Sequence, residues 1–285
     1  MVDLHTHTTH SDGRLTPKEL LELANSSGIS VLSITDHNSV GAYKEVGDTF
    51  KGKLVTGVEL NAYLGPKYVE VLGYGFDVAK MEKEIERYTL ENTIQKSQQI
   101  AQEAFDRCGL GIKLEASDMN RNGFLECTVV FRKHTDKIKS LYPHVENGEQ
   151  LFRRELTNPK SKLFTDLSSL YPTHEEAVDI VRRCGGLAFL AHPYNCIDPD
   201  AVLEYAKNIV DGIECFHYTA TPEQSEYLLD FCKRNNLFTS RGSDFHRVGL
   251  RHLGYLCTPE VPSWLQALLV TQTPLCCNSL RFVVT

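Results

Sequence analysis

Histidines and carboxylates with the spacing of metal ligands recur along the chain. His5 and His7 are two residues apart on a predicted extended segment, so both side chains point to one face. Asp244 and His246 repeat this spacing after the predicted strand that begins near Leu237. Imidazole nitrogens and carboxylate oxygens, without thiolates, are donors that suit Zn, Mn or Fe. The two pairs predict a metal site assembled from both ends of the chain.

Further histidines and carboxylates stand at or near the downstream ends of other predicted strands. A single buried histidine is more often a hydrogen-bonded core residue than a ligand. Several strand ends that each supply metal-type donors favour a shared centre instead, because the carboxyl ends of parallel strands converge on one mouth of an α/β barrel. These residues are Asp12, His37, Glu59 and His192.

The elements that must position these residues alternate between strands and helices in the first and last parts of the chain. Repeated βα units in residues 1–80 and 171–285 imply parallel strands. Residues 81–170 begin with one long polar helix, from about Met81 to Cys108, and show no clear strand–helix alternation after it. The pattern predicts an α/β barrel in two parts, 1–80 and 171–285, with a mainly helical insertion at 81–170.

The composition is that of an ordinary globular protein. The 285 residues are 41% hydrophobic and 24% charged, with a formal net charge of −7, which disfavours disorder, coiled coil and a protein that coats nucleic acid. We expect no secretory signal and no membrane span, because no apolar run reaches the roughly 18 residues that a span needs. Nine cysteines without a CxxC pair argue against a disulfide framework. We therefore expect a cytoplasmic protein with no membrane partner and no obligate protein partner.

Five motifs, in order, resemble those of the PHP (polymerase and histidinol phosphatase) family. They cover most of residues 1–76 and 172–257, and their joint occurrence is highly specific. The motifs are Leu4-His5-Thr6-His7 with Ser11-Asp12-Gly13, Thr35-Asp36-His37, Gly57-Val58-Glu59, Ala191-His192-Pro193 and Gly242-Ser243-Asp244-Phe245-His246.

The resemblance implies a distorted (β/α)7 barrel that binds two or three divalent metal ions (Mn, Zn, Fe or Mg) and hydrolyses phosphoesters. The layout is that of the stand-alone phosphoesterases of this family, which carry a helical insertion. Asp36 would orient a histidine or cap the following turn. The implied ligands are His5, His7, Glu59 and Asp244 for one ion, Glu59 and His192 for a second, and Asp12, His37 and His246 for a third.

One position departs from the family pattern. Where the family usually has a histidine in the fourth strand, this chain has Glu70, between Val69 and Val71. We expect Glu70 to ligate a metal ion, since a carboxylate suits a hard or borderline cation and favours Mn, Fe or Mg. The alternative is a solvent-facing Glu70 and a centre with fewer ions.

Basic residues of the insertion are candidates for contacting a phosphate. Residues 121–162 carry nine Lys or Arg and five Asp or Glu, a local charge of +4 that includes Arg153 and Arg154. Most of these residues would form a solvated helix face, while one or two would reach over the barrel mouth. The candidate substrate-binding residues are Arg132, Lys133, His134 and, beside the last motif, Arg241. The candidate general acids for the leaving group are His10 and His217.

These observations predict a metal-dependent phosphoesterase that hydrolyses a small phosphorylated substrate with water activated by the metal ions. The predicted substrate is a nucleotide, a nucleoside bisphosphate or a short oligonucleotide, so short single-stranded nucleic acid is a candidate partner. Three alternatives remain open. They are a histidinol-phosphatase-like phosphomonoesterase, a C–N or C–O hydrolase of an unphosphorylated compound, and a non-catalytic metal-binding module with a degenerate site.

Overall fold

Seven strands form one sheet in chain order, in a computed structural model that describes residues 1–271. The remainder of the predicted second barrel segment, 272–285, with Cys276 and Cys277, lies outside the described residues. The strands are β1 (Val2–Asp3), β2 (Val31–Ile34), β3 (Lys53–Leu64), β4 (Lys67–Tyr74), β5 (Leu187–Leu190), β6 (Gly212–Phe216) and β7 (Phe238–Arg241).

The two edges of this sheet meet and nearly close it into a barrel. The Leu4 N–H donates to Arg241 O at 3.2 Å, and the His7 N–H donates to Phe245 O at 2.9 Å. Thr6 pairs with Phe245 in a parallel bridge. The predicted α/β barrel of seven strands is therefore confirmed, and its closure brings the segment after β1 beside the segment after β7.

Strand β4 differs from the expectation of parallel strands. It pairs antiparallel with β3 and with β5, whereas the other neighbouring strands of the sheet pair in parallel. The cause is local, because only Gly65 and Pro66 separate β3 from β4, and a two-residue connection can join only antiparallel strands. Glu70 lies opposite Asn61 in this hairpin.

Helices cover the barrel and build the insertion. Helix α7 (His174–Arg183) packs against β3, β4 and β5, and α9 (Pro222–Arg234) packs against β6 and β7. Within the described chain, no helix is long and apolar enough to cross a lipid bilayer. The helices are α1 (Pro17–Ser26), α2 (Val78–Ile85), α3 (Leu90–Arg107), α4 (Cys127–Lys133), α5 (Thr135–Leu141), α6 (Gly148–Gln150), α7 (His174–Arg183), α8 (Pro199–Ala206), α9 (Pro222–Arg234) and α10 (Ser263–Thr271), with a π-helix at Leu151–Leu156 and 3₁₀ turns at Gly41–Lys44, Glu86–Tyr88, Ala116–Asp118 and Pro193–Asn195.

The prediction of a single helix from Met81 to Cys108 is wrong in one respect, because the structure has two helices there, α2 and α3. Thr89 has extended backbone angles, with φ −63° and ψ 156°, and it interrupts the helix after the 3₁₀ turn. The region does begin with helical structure, as predicted.

The insertion has its own apolar core and meets the barrel through aromatic side chains. Buried residues from Ala101 to Leu163 form a cluster separate from those of the barrel. Phe124 lies 5.0 Å from Tyr68 of β4 and 5.9 Å from Phe152 of the π-helix, measured between ring centroids. These contacts hold the π-helix next to β4, the strand that carries Glu70.

Candidate metal centre

The segment after β1 places two imidazoles at the centre of the barrel mouth. His5 and His7 are fully buried, with ring centroids 5.2 Å apart. Their Nε2 atoms lie 3.4 and 3.2 Å from Oδ1 of Asp244. The two-residue spacing on an extended segment thus directs both rings at one carboxylate from the other end of the chain.

Asp244 is held in position because the turn after β7 is fastened to β1. The backbone N–H and hydroxyl of Ser243 both donate to the Asp3 carboxylate, at 2.9 and 2.6 Å. Gly242 lies so close to His5 that a Cβ at this position would be 2.1 Å from the His5 Cβ. Glycine is therefore required where this turn crosses β1.

Glu59 is the carboxylate around which the histidines gather. It is almost fully buried on β3. Four imidazole nitrogens surround it, with Oε2 at 3.2 Å from His5, 3.3 Å from His7 and 3.3 Å from His37, and Oε1 at 3.0 Å from His192. One carboxylate shared by four imidazoles can bridge two cations.

A second group lies on the more open side of the cluster. Asp12 Oδ1 is 3.3 Å from His246 Nε2, and Asp12 Oδ2 is 3.8 Å from His37 Nε2. The side chains of Asp12 and His246 are 23% and 22% exposed, whereas Glu59 is 1% exposed. Water and small molecules therefore reach the cluster from the side of Asp12 and His246.

Glu70 faces the cluster rather than solvent. Its carboxylate is 3.3 Å from His192 Nε2 and 3.5 Å from His37 Nδ1, and it is 12% exposed. The Tyr68 hydroxyl donates to Glu70 Oε1 at 2.5 Å. Burial, and next the charge of Glu59, raise the pKa of Glu70. This geometry suits a ligand, and ligation by Glu70 stays a prediction.

The donor set fits divalent cations. The buried Nε2 of His7 and Nδ1 of His37 have no hydrogen-bond partner within residues 1–271, although each lies close to carboxylate oxygens. Two donors that each lie about 2.1 Å from one cation are separated by roughly 3 Å, as these atoms are. Donor atoms within 4.8 Å of one another fall into five groups, which are His7, Asp12, His37 and His246; His5, His7 and Asp244; His5, Glu59 and His192; His37, Glu59 and Glu70; and His192, Glu214 and His217.

Carboxylates of the cluster raise the pKa values of several of its histidines. Burial opposes ionisation of His192, but its hydrogen bond to Glu59 and the charges of Glu70, Glu59 and Glu214 raise its pKa to about 9. Burial likewise opposes ionisation of His246, and the charges of Asp244 and Asp12 raise its pKa to about 10. A divalent cation among the same atoms would take the place of these protons.

Glu214 is a buried member of the cluster that the sequence interpretation missed. It is fully buried on β6, where Oε1 lies 2.9 Å from His5 Nδ1 and Oε2 accepts the His192 backbone N–H at 2.9 Å. A carboxylate on the far nitrogen fixes the tautomer and orientation of a metal-binding histidine. The available signal was a glutamate inside the apolar run Gly212–Phe216.

Two further polar residues support the cluster. Arg251, which the sequence interpretation also missed, donates from Nη2 to Asp244 O at 3.0 Å and lies 3.5 Å from the centroid of the Tyr218 ring. Asp36 accepts from the Thr8 backbone N–H and from the Ser11 hydroxyl, and Ser11 lies 3.4 Å from His7 Nδ1. Asp36 thus acts on a histidine through Ser11 instead of directly.

The predicted general acids occupy different positions. His217 belongs to the cluster, with Nε2 3.3 Å from Asp244 Oδ2 and Nδ1 2.8 Å from the Thr219 hydroxyl. His10 faces outward, and its Nε2 is 3.1 Å from Glu45. The described contacts therefore bring His217, and not His10, to the candidate metal ligands.

The predicted substrate-binding residues are not among those that contact the cluster in the described structure. Arg132 is exposed, and Lys133 pairs with Asp118 at 2.6 Å within the insertion. His134 joins α4 to α5. Arg241 lies with its guanidinium 4.2 Å from the Phe216 ring centroid. The insertion instead approaches the barrel with Arg153, which lines a pocket together with Glu70 and His192.

A buried cluster of imidazoles and carboxylates at the mouth of a seven-stranded α/β barrel defines a class of metal-dependent hydrolases. The sequence model of the PHP domain family matches residues 3–151, just over half of the chain. The chain belongs to the PHP domain family.

Curated relatives of the chain extend over most of its length. A 5'-3' exoribonuclease from Haemophilus influenzae is 27% identical over 256 residues, which are 86% of this chain and 89% of that protein. A 3',5'-nucleoside bisphosphate phosphatase from Chromobacterium violaceum is 25% identical over 261 residues, 87% of this chain and 88% of that protein.

A solved structure shares the fold. An amidohydrolase from Chromobacterium violaceum, solved with bound sulfate, superposes with a TM-score of 0.68 at 22% identity and covers 94% of this chain and 96% of its own. The similarity confirms the α/β barrel fold.

Proposed function

We propose that the chain, a metal-dependent hydrolase of phosphoric esters, acts on nucleotides, with nucleoside 3',5'-bisphosphates and short oligonucleotides as its substrate class. The observation that carries this proposal is the cluster around Glu59, where four imidazoles meet one buried carboxylate. Relatives that act on a nucleoside bisphosphate and on RNA support the choice of nucleotides. The prediction of a phosphoester hydrolase is thereby confirmed at the level of the reaction class.

We propose Mn, Zn or Fe as the resident ions, two or three in number. When bound, such ions lower the pKa of a water molecule and stabilise charge on the phosphoryl oxygens. The residues that would hold them are His5, His7, Glu59 and Asp244 for one ion, Glu59, Glu70 and His192 for a second, and Asp12, His37 and His246 for a third.

Residues around these candidate ligands restrict their orientation. Glu214 accepts a hydrogen bond from the Nδ1–H of His5, so that Nε2 of the same ring faces Glu59. His217 and Arg251 both contact Asp244, and His217 does so at Oδ2, leaving Oδ1 directed at His5 and His7. The carboxylate is thus oriented before any ligand arrives, which reduces the cost of reorganisation during the reaction.

The test is phosphate release by purified protein loaded with Mn or Zn. The substrates are adenosine 3',5'-bisphosphate, AMP and a 5'-phosphorylated trinucleotide, with folding checked by circular dichroism. We expect hydrolysis of at least one of them, and a loss of roughly 10³-fold or more in Glu59→Gln, which removes a charge from the shared carboxylate. A folded, metal-replete protein that releases phosphate from none of the three contradicts the proposal.

A further inference from the structure

A small pocket separates the π-helix of the insertion from one end of the cluster. Its volume is about 60 Å³, which is room for a group of a few heavy atoms such as a phosphoryl group. Glu70 and His192 line it on the barrel side, and Phe152, Arg153 and Thr157 line it on the side of the insertion. The pocket therefore lies beside the proposed metal centre and not within it.

Arg153 supplies a guanidinium to this pocket. Its Nε is 3.2 Å from Glu149 Oε1, and its Nη1 donates to Asn195 Oδ1 at 3.0 Å. Its Nη2 has no hydrogen-bond partner in the described part of the chain, so donors remain for an anion. Glu149 is 69% exposed, and an ion pair of this kind contributes little in water.

The π-helix determines which of its two arginines faces the barrel. Leu151 and Leu156 are buried in the core of the insertion, and Phe152 packs against Tyr68 at 6.3 Å between ring centroids. Arg153 is half-buried next to Phe152, whereas Arg154 is exposed. Short π-helical segments are frequent at functional sites. Arg154 is thus a natural control for Arg153.

Arg153 also lies near the mouth of the barrel. Burial and the charge of Asp244 raise the pKa of Tyr218, while the charges of Arg251 and Arg153 oppose that rise. Arg251 in turn stacks on the Tyr218 ring and contacts Asp244. The charges of two arginines on different parts of the chain therefore act on one aromatic residue beside the cluster.

We infer that Arg153 binds a second phosphate group of the substrate, one that is not hydrolysed, and thereby selects compounds that carry two phosphate groups. A phosphate that reacts at the centre of the cluster, near Glu59, His7 and Asp244, would lie apart from this pocket, which borders on Glu70 and His192. A planar guanidinium with free donors is well suited to a phosphate. This inference rests on the proposed function for the identity of the substrate, but the contact itself is tested by binding.

The experiment compares Arg153→Ala with Arg154→Ala. Binding of adenosine 3',5'-bisphosphate and of AMP is measured by calorimetry on metal-chelated protein, and KM and kcat are measured on Mn-loaded protein. We expect Arg153→Ala to weaken binding of the bisphosphate, and raise its KM, about 10- to 100-fold, while AMP changes less than about threefold. Arg154→Ala should match the unsubstituted protein, and Arg153→Lys should recover part of the affinity.

The outcomes separate the inference from the proposed function. Unsubstituted protein that binds the bisphosphate through Arg153 but hydrolyses nothing supports the inference and contradicts the proposed function. An active enzyme in which Arg153→Ala leaves the bisphosphate KM and affinity unchanged, or weakens both ligands equally, overturns the inference.

Glu149→Ala distinguishes binding from a purely structural role of Arg153. Removing the exposed carboxylate frees Nε of Arg153, so a binding role predicts a bisphosphate KM lowered about two- to fivefold. A structural tie between insertion and barrel predicts an unchanged or raised KM instead. That result would also overturn the inference.

Discussion

Glu214 shows how one buried carboxylate controls two candidate ligands. It holds the ring of His5 through Nδ1 and the backbone of His192 through its N–H. Both histidines also contact Glu59, so a substitution at Glu214 would alter the positions of two imidazoles at the centre of the cluster. Glu214 is thus a positioning residue.

We predict that Glu214→Gln weakens metal binding about 10- to 100-fold, because the amide holds His5 Nδ1 less strongly than a carboxylate does. The measurement is calorimetric titration of the chelated protein with Mn²⁺. Glu226→Gln, an exposed change on α9, is the matched control and should leave the affinity as it is. Equal affinities in the two variants would show that Glu214 does not orient a ligand.

The oxygen donor of Glu70 should influence which metal ion the centre prefers. Replacing its oxygen donor with nitrogen in Glu70→His should raise the ratio of Zn²⁺ to Mn²⁺ affinity on the order of tenfold, since imidazole suits Zn and carboxylate suits Mn. Competition between the two ions, followed by elemental analysis of the protein, measures this ratio. An unchanged ratio would place Glu70 outside the metal coordination.

At the scale of elements, the β3–β4 hairpin and the turn after β7 decide which side chains meet. The hairpin directs Glu70 of an antiparallel strand into a mouth that is otherwise lined by the ends of parallel strands. The turn after β7 carries Asp244 at φ 49° and packs Gly242 on His5, in the segment after β1. In both the hairpin and the turn, two backbone segments pack closely together, and this packing positions the side chains.

We predict that Gly242→Ala lowers the free energy of unfolding by about 3 kcal/mol, because its Cβ would lie 2.5 Å from the His5 backbone nitrogen. Urea denaturation measures the change. Gly249→Ala is the comparison, since it has open space at φ +86° and should cost only about 1 kcal/mol. If the two variants are equally stable, the contact with β1 does not require glycine.

The sequence predicts this site better than it predicts the surroundings of the site. His5 and His7 were recognisable because two residues that far apart on an extended segment point to one face, and Asp244 and His246 because they complete the ordered set of motifs. The position of Arg153 depends on a π-helix and on aromatic packing between distant segments, for which no local pattern exists. Likewise, Glu214 is recognised as a partner of His5 only after β6 and β1 are placed in one sheet.

At the scale of the whole molecule, the fold also buries a histidine that lies outside the cluster. His174, the first residue of α7, is fully buried, and neither ring nitrogen has a hydrogen-bond partner in residues 1–271. Burial lowers its pKa to about 4, against a smaller opposing effect of Glu175. The folded protein therefore keeps His174 neutral at a pH where the unfolded chain binds a proton.

We predict that His174 contributes to acid sensitivity. Above the unfolded pKa near 6.5 both states are neutral, and between there and the folded pKa of about 4 only the unfolded chain is protonated. Stability from this residue is therefore lost as the pH falls, by roughly 3 kcal/mol across that interval. His174→Leu should flatten the pH dependence by that amount in chelated protein, measured by urea denaturation from pH 7 to pH 4.

The matched control for this measurement is His252→Gln, a change at an exposed histidine. It should retain the pH dependence of the unsubstituted protein. Curves for His174→Leu that run parallel to those of the control would contradict the prediction.

Because β1 and β7 close the barrel, the candidate metal ligands can come together only after β7 has been synthesised. His5 meets Glu214 across 209 positions, and Ser243 meets Asp3 across 240. At about 5–20 residues per second, a ribosome makes Asp244 roughly 10–50 s after His5. Chains that stop at residue 236, before β7, should retain no Mn²⁺ after gel filtration. We therefore expect metal binding only in chains long enough to include β7.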